Sequence, residues 1–594
     1  MASINENKLL RKFFGTDPTK KEEMQPSEVL SYSVAGLGQN IICQLVTTFF
    51  MVYMTNIAGV DALWLSWMFL AARLFDAFND PIMGTLVDKT RSKWGKMRPY
   101  LVFSPIPIAI LTVLLFTSFN WSMPAKFAYS TVIYLLWGIA YTSVDVPYWG
   151  LASSMTSDTD KRNTLLTVAR LFSTIGSGLV SVAIPVVTDT KNVKAEHLWW
   201  IYIVVAVVSV LMAIPTFWIG FKNTKERFYE EKESASLKEN LKLLMKNKPV
   251  LLMILVGVLG GLRTIYMTTA IYYAQFNLRD QSLAGAIFLL VVPGGLAATL
   301  LTPILSKKLG KKNVFIWSHI IGGILLVILY FIGLKSSGTS TPAKIAFYII
   351  IIIAGIPSGF SNILTYSMIA DSIDYLEDKT GKRAEGICFS MQTLISKIGM
   401  ALTAFVTLQV LGAYGYDSKY AKMEISDELF YSDGFQTMIS GNWMATTLLC
   451  GISMAACAIP LFFYTFTEKR QVEAVARVLA RKKAAGTMNE AESGEFVDQL
   501  KLVDKKTQER TYTQIAEILG WENSDAVRAF IVESDNFKVT ADVVAEEKVE
   551  NVFEDAGVTQ EAQANEEVKA EEQVKADEEV KDKSDEEGKS DFEK

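Results

Sequence analysis

The sequence predicts an all-α membrane protein: twelve transmembrane helices in two six-helix bundles, followed by a cytoplasmic C-terminal tail. Three observations predict it. Apolar residues make up 50% of the 594 positions, and the mean hydropathy is positive despite a charged C-terminal stretch, a membrane composition. Apolar runs long enough to cross a bilayer recur about twelve times, centred near residues 43, 75, 110, 140, 176, 209, 262, 293, 324, 357, 398 and 453. Six spans, a long charged linker and six more form a weak internal repeat, with short basic loops at Asp88–Pro99 and Lys307–Lys312 in corresponding places.

Orientation follows from charge. Short cytoplasmic loops are enriched in Lys and Arg, and the loops after the second, sixth, eighth and twelfth spans read DKTRSKWGKMRP, KNTKERFYEEKES, SKKLGKK and EKRQ. Both termini are therefore expected inside, in a multi-pass protein of the cytoplasmic membrane. The polar start and a first apolar span too long for a signal h-region predict no cleaved leader. The net charge of −5 averages a basic cytoplasmic face with an acidic tail and implies no nucleic-acid partner. The cysteines Cys43, Cys388, Cys450 and Cys457 fall inside spans at no metal spacing, so they read as small apolar side chains. With only His197 and His319, histidine-based metal or acid–base chemistry lacks material. No GxxxxGK[ST] is present for a nucleotide-driven pump.

In chain order, residues 1–29 form a cytoplasmic segment and 30–220 the first bundle. The first span contains small residues, which let membrane helices approach closely, and the polar pair Gln39 and Asn40, expected to face a cavity. The second, ARLFDAFNDPIMG at its centre, carries Arg73, Asp76 and Asp80 on one helical face. Charges at bilayer depth persist where they pair, line a wet cavity or hold an ion. Two carboxylates four residues apart, with Asn79 between them, suggest a cation site; the plainer alternative is a salt bridge of Arg73 with one aspartate. Pro81 is expected to break the helix locally. In the fourth span, YTSVDVPYWGL sets Tyr141, Asp145 and Trp149 at i, i+4, i+8 with Thr142 beside them. An aromatic plane next to a carboxylate suits a sugar, whose CH groups stack while its hydroxyls donate; an interfacial aromatic with a partnered aspartate is the alternative. Arg170, in the fifth span, either pairs with Asp145 or snorkels to the surface.

The central loop, residues 221–248, includes an amphipathic piece, SLKENLKLLMKN, and tethers the halves. In the second bundle, residues 249–467, Arg263 follows a Gly-Gly break near mid-depth, where it either binds an anionic substrate group or neutralises a carboxylate. Asp371 and Asp374, near the cytoplasmic end of the tenth span, suit a gate or salt bridges to basic loops. Lys397 in the eleventh needs a carboxylate, and Asp76 or Asp80 is the obvious one. Residues 468–545 read as a small cytoplasmic helical unit, and 546–594, with repeats such as EEVKAEEQVKADEEVKDK, as an acidic disordered tail. The sequence names no partner for it.

The motifs RLFDAFNDPIMG, DKTRSKWGKMRPY, YTSVDVPYWGL, ADSIDY and QTLISK, in that order, resemble those of the glycoside–pentoside–hexuronide cation symporters, a branch of the major facilitator superfamily, over residues 26–470. The resemblance implies that Asp76, Asn79, Asp80 and Thr142 form the coupling-cation site, with Asp76 and Asp80 binding sodium if sodium is the ion and Lys397 close by. It implies that Asp145, Trp149 and Arg170 contact the sugar and that Tyr141 lines the pocket. Asn40 stands where the melibiose-transporting member has a sugar-binding aspartate, so galactoside specificity is not implied; with Arg263, this makes an anionic hexuronide more credible. Some relatives carry a histidine-phosphorylated C-terminal domain, but this tail has no histidine.

The expected function is symport of a glycoside or oligosaccharide with a monovalent cation, by alternating access and without a cofactor. Neutral oxygens of Asn79 and Thr142 beside the aspartates suit sodium, and a proton stays open. A sugar uniporter or a non-transporting substrate sensor is the alternative; an enzyme would need a nucleophile with a positioned base, for which histidine is scarce.

Overall fold

The computed structural model describes residues 24–156, 159–191, 193–227, 237–332, 341–383, 385–423, 425–488 and 490–534. The expected acidic tail, residues 546–594, and most of the N-terminal segment 1–29 lie outside the described residues, as do residues 228–236 of the central loop, whose amphipathic piece forms the helix Leu237–Lys246. Two compact units divide the chain, Met1–Glu468 and Lys469–Lys594.

In the first unit, nine helices among the described residues are long and apolar enough to cross a membrane. They are α1 (Pro26–Ile57), α4 (Met123–Met155), α5 (Thr159–Val187), α6 (Leu198–Asn223), α8 (Leu283–Leu309), α9 (Lys311–Ile332), α10 (Thr341–Thr380), α11 (Glu385–Ala413) and α12 (Asp433–Phe462). Three further segments lie between them, beside the short helices Leu237–Lys246 and Asp427–Phe430. The helix α2 (Ala62–Lys89) carries the charges noted above; α3 is short, Pro105–Leu115 preceded by Arg98–Phe103; α7 is interrupted, ending at Leu259 and resuming at Ile265 after the Gly-Gly pair. The expected break at Pro81 does not occur, since α2 runs through that residue unbroken. A missing backbone donor is tolerated in a span when neighbouring helices and polar side chains satisfy what is freed.

Small residues do what the first span suggests. A Cβ on Gly36 would strike the Tyr148 hydroxyl, and one on Gly176 the Leu37 carbonyl, so α1 packs tightly between α4 and α5. At its start, Gln25 and Glu28 form a capping box ahead of Pro26.

We call the side of the bundle where α1 begins proximal and the opposite side distal. At the proximal ends, each half staples its own loops. The Glu226 carboxylate, just after α6, accepts from the backbone N–H groups of Lys96, Met97 and Arg98 at 2.8, 2.9 and 2.8 Å, beside Gly95, whose φ of +107° needs glycine. In the second half, Glu468, just after α12, accepts from the Lys311 N–H beside Gly310, φ +84°. The sequence repeat thus continues into matching carboxylate caps. Arg227 grips Glu28 with one nitrogen at 2.8 and 3.0 Å from its oxygens, and Lys311 pairs with Asp371 at 2.6 Å. Arg383 holds Glu377 at 2.7 Å and Asp374 at 3.3 Å. Asp371 and Asp374 therefore make salt bridges to basic loops, one of the two roles their position suggested.

At the distal ends, the bonds cross between halves. α1 and α7 both finish in a wide turn of π type: Ala58 N–H donates to the Tyr53 carbonyl at 2.9 Å and Leu278 N–H to that of Tyr273 at 3.1 Å. The two ends meet through Thr55 and Tyr272 at 2.8 Å and through the Asn56 amide donating to Gln275 at 2.9 Å, while the Tyr416 hydroxyl donates to Asn56. Gln409 donates to Ser66, Gln281 to Thr188, and Lys191 pairs with Asp280. The continuous apolar core of the unit gathers around these helices, with Phe49, Phe50, Tyr53, Tyr272 and Trp443 almost fully buried.

The second unit packs helices Glu468–Ala484, Glu490–Leu502, Gln508–Leu519 and a stretch at 524–534 around Leu479, Phe496, Leu500, Tyr512 and Ile515. Lys483 lies 3.7 Å above the Phe530 ring, and burial pushes its ammonium below the ordinary value. The helical unit expected from residue 468 onward thus has a core of its own.

Candidate transport site

The α2 face predicted from the i, i+3, i+7 spacing forms, and both of its carboxylates find cations. Arg73 pairs with Asp76 at 3.3 Å. Lys397, from α11 in the other half, pairs with Asp80. These side chains are mostly buried, at 14% exposure for Arg73 and Asp76, 18% for Lys397 and 23% for Asp80. The salt-bridge alternative is therefore realised for Asp76, and the Lys397 expectation resolves in favour of Asp80.

Thr142 of α4 donates to Asp80 at 3.4 Å. One turn on, Asp145 accepts from the Gln39 amide of α1. Asp145 lies within electrostatic reach of Lys397 and Asp80, and Asp76 within reach of Arg73, Lys397 and Asp80. Five ionisable groups from α2, α4 and α11 thus make one cluster. With every group ionised, three carboxylates face two cations, one negative charge in excess. Charge of that kind is costly at bilayer depth unless a further cation or proton enters.

Oxygen donors are at hand. Thr142 contributes a hydroxyl, and among the described residues the buried Asn79 Nδ2 has no hydrogen-bond partner. A half-turn of that amide exchanges nitrogen for oxygen and turns an acceptor into the same space. α4 runs close beside the cluster, since a Cβ on Gly138 would lie 3.1 Å from Asp76 Oδ1. Among the described residues no three His, Cys, Asp or Glu side chains form a site of the usual metal kind.

The aromatic surface adjoins this cluster. Tyr141 stacks on Trp137 with centroids 4.9 Å apart, and Trp149 stands edge-on to Tyr148 at 5.0 Å. Among the described residues Arg170 does not pair with Asp145. It is exposed, and its guanidinium lies 5.5 Å from the Trp149 ring and 5.6 Å from the ring of Tyr366 in α10, within the range in which a cation is drawn to an aromatic face.

Two predicted residues point elsewhere. Asn40 donates to the Gly36 carbonyl of its own helix at 3.0 Å and accepts from Ser177 of α5 at 3.5 Å. Arg263 folds back on the Gly260 carbonyl at 3.1 Å, with His319, Tyr266, Cys450 and Cys457 as the groups its charge reaches. Among the described residues no contact joins Arg263 to the carboxylate cluster. The helix break that made it conspicuous in sequence also supplies the carbonyl that binds it.

Sequence reasoning missed Gln39 as the partner of Asp145, Gly138 as the wall beside Asp76, and Tyr366. A polar residue inside an apolar span was the available signal for Gln39. Nothing local marks Tyr366, whose role depends on a helix of the other half.

Residues 31–468 match the family model described as MFS/sugar transport protein. The isoprimeverose transporter of Lactiplantibacillus pentosus is 33% identical over 404 residues, covering 67% of this chain and 82% of its own. The glucuronide carrier protein homolog of Escherichia coli K12 is 29% identical, covering 77% and 96%. Among solved structures, the nucleoside transporter NupG superposes with a TM-score of 0.53 at 14% identity, over 74% of this chain and 100% of its own. A D-xylose–proton symporter superposes with a TM-score of 0.51 at 12% identity, over 72% and 96%. Both structural likenesses speak to the fold alone. The helical unit from Lys469 lies beyond the family match. The chain belongs to the glycoside–pentoside–hexuronide branch of the major facilitator sugar transporters: it is a multi-pass membrane transporter and not an enzyme.

Proposed function

We propose that this protein is a symporter, moving a glycoside together with a monovalent cation by alternating access. The observation that carries the reading is the buried cluster of Asp76, Asp80, Asp145, Arg73 and Lys397, one negative charge in excess, beside Trp149 and Arg170. A cation neutralises that excess before the halves close on it, and the sugar completes the pocket. Each ligand then favours the other by a reciprocal coupling energy on the order of 1–3 kcal/mol. Inward movement of one positive charge gains about 2.3 kcal/mol per 100 mV. Asp76, Asp80, Thr142 and Asn79 are the oxygen donors for sodium, which the mixture of carboxylate and neutral oxygen suits; a proton on one carboxylate would satisfy the same charge count.

In this reading Asp145, Trp149, Tyr141 and Arg170 meet the sugar. Arg263 is left out of the pocket, and Arg170 becomes the cation available to an anionic glycoside. The likeness to a glucuronide carrier homolog supports a hexuronide, and that to an isoprimeverose transporter a neutral glycoside. All twelve helical segments span the bilayer, the proximal face is cytoplasmic, and both termini lie inside, supported by the basic loops at Lys89–Arg98 and Lys307–Lys312.

Ion pairing of both α2 carboxylates favours a second reading, a uniporter in which Arg73 and Lys397 are permanent counter-charges. One experiment separates them. In proteoliposomes, Asp80→Cys is expected to abolish sodium- or proton-driven accumulation of sugar while leaving exchange of sugar across the membrane measurable. Uphill uptake undiminished in that variant, or wild-type uptake indifferent to every cation gradient, excludes symport.

A further inference from the structure

Arg170 is exposed although it lies well inside α5. An exposed arginine at that depth faces water rather than lipid. Among the described residues it has no carboxylate partner; its neighbours are two ring faces, Trp149 from its own half and Tyr366 from the other. Tyr366, at 40% exposure, shares its side of α10 with the exposed Asn362 one turn earlier, so the side of α10 that meets Arg170 is exposed and polar. The Tyr366 hydroxyl makes no hydrogen bond among the described residues.

Attraction to two aromatic rings uses the charge of a guanidinium and none of its N–H donors. Those donors form a planar fork matched to a carboxylate. Without the second ring, the long arginine side chain would regain the rotamer freedom that the ring contacts remove.

We propose that Tyr366 is a positioning residue for substrate selection: with Trp149 it clamps Arg170 edge-on to the cleft, where the guanidinium takes the carboxylate of an anionic glycoside. The inference rests on the glycoside reading above and narrows it to hexuronide-type substrates. It also makes the C-terminal half a contributor to selectivity through a residue that has no direct partner in the carboxylate cluster.

The test is uptake kinetics in proteoliposomes with a matched pair, a labelled glucuronide and the corresponding glucoside, for the wild type, Tyr366→Leu and Tyr366→Phe. Leucine keeps apolar bulk and removes the ring; phenylalanine keeps the ring. Tyr366→Leu is expected to raise KM for the glucuronide about three- to five-fold, in line with the loss of a modest cation–π contact, with kcat within about two-fold and the glucoside KM within about two-fold. Tyr366→Phe is expected to restore wild-type kinetics, which a merely structural role for the hydroxyl would not do. Equal KM changes for both sugars, an unchanged KM in Tyr366→Leu, or wild-type uptake of the glucoside alone overturns the proposal while leaving glycoside transport standing. Failure of the wild type to take up either sugar overturns the transport reading and this inference with it.

Discussion

The two faces of the membrane unit are held in different ways. Proximal contacts around Glu226, Arg227 and Lys311 bind loops back onto the half that carries them. Distal contacts around Asn56, Thr55 and Lys191 join one half to the other. The first kind is rich in ion pairs and charge-assisted backbone bonds; the second is mostly neutral hydroxyl and amide bonds. A charge-assisted bond is roughly twice as strong as a neutral one, so each half is stapled firmly while the distal seam, apart from the exposed Lys191–Asp280 pair, is made of neutral bonds that can be exchanged for water. Two firm bodies joined by a weak seam are what rocking requires.

The largest effect is expected within a half. Arg227→Ala leaves the Glu28 carboxylate, at 5% exposure, without its counter-charge, a loss of about 3–5 kcal/mol. Thermal unfolding in detergent should show it, and a shift of less than a degree would remove the distinction between firm and weak contacts. Next comes the seam. Asn56→Ala unpairs both Gln275 and Tyr416, disfavouring the distally sealed state by about 1–3 kcal/mol. Labelling of a cysteine placed in the distal half of the cleft should speed up with little change in thermal stability; unchanged labelling would show that the seam lies elsewhere.

A smaller change is expected at the cluster itself. The added Cβ of Gly138→Ala, 3.1 Å from Asp76 Oδ1, forces that carboxylate to give way by a few tenths of an ångström. Cation affinity measured by calorimetry should fall about three- to ten-fold, an effect of order 1 kcal/mol, and an unaltered affinity would take Asp76 out of the cation site.

The smallest effect is pH dependence of the seam. Burial works to raise Asp280, but the Ser282 hydroxyl and the Lys191 ammonium outweigh it and hold its carboxyl below the ordinary 3.8. This acid stabilises the seal above that value and stops doing so as pH falls through the depressed one. Burial, with the neighbouring Lys126 ammonium, pushes Lys422 below its ordinary 10.5. Its charged form therefore weighs against the seal at low pH, and that cost vanishes as pH rises toward 10.5. Both groups favour sealing at higher pH, each by under about 1 kcal/mol at this exposure. Distance measurements between spin labels across the distal seam should lengthen below pH 4; shortening there would contradict the assignment.

Periodicity and charge alone determined the helical membrane fold, the α2 face with Asp76 and Asp80, and a separate helical unit from residue 469, because each depends on neighbours a few residues apart. Only the tertiary structure decided who pairs with whom. Lys397 reaches Asp80 across 317 positions, Arg170 turns from Asp145 to Tyr366, and Arg263 withdraws to its own helix break. Side chains on one helix face compete for partners brought by other helices, and the winner depends on distances and burial that the order of residues does not contain.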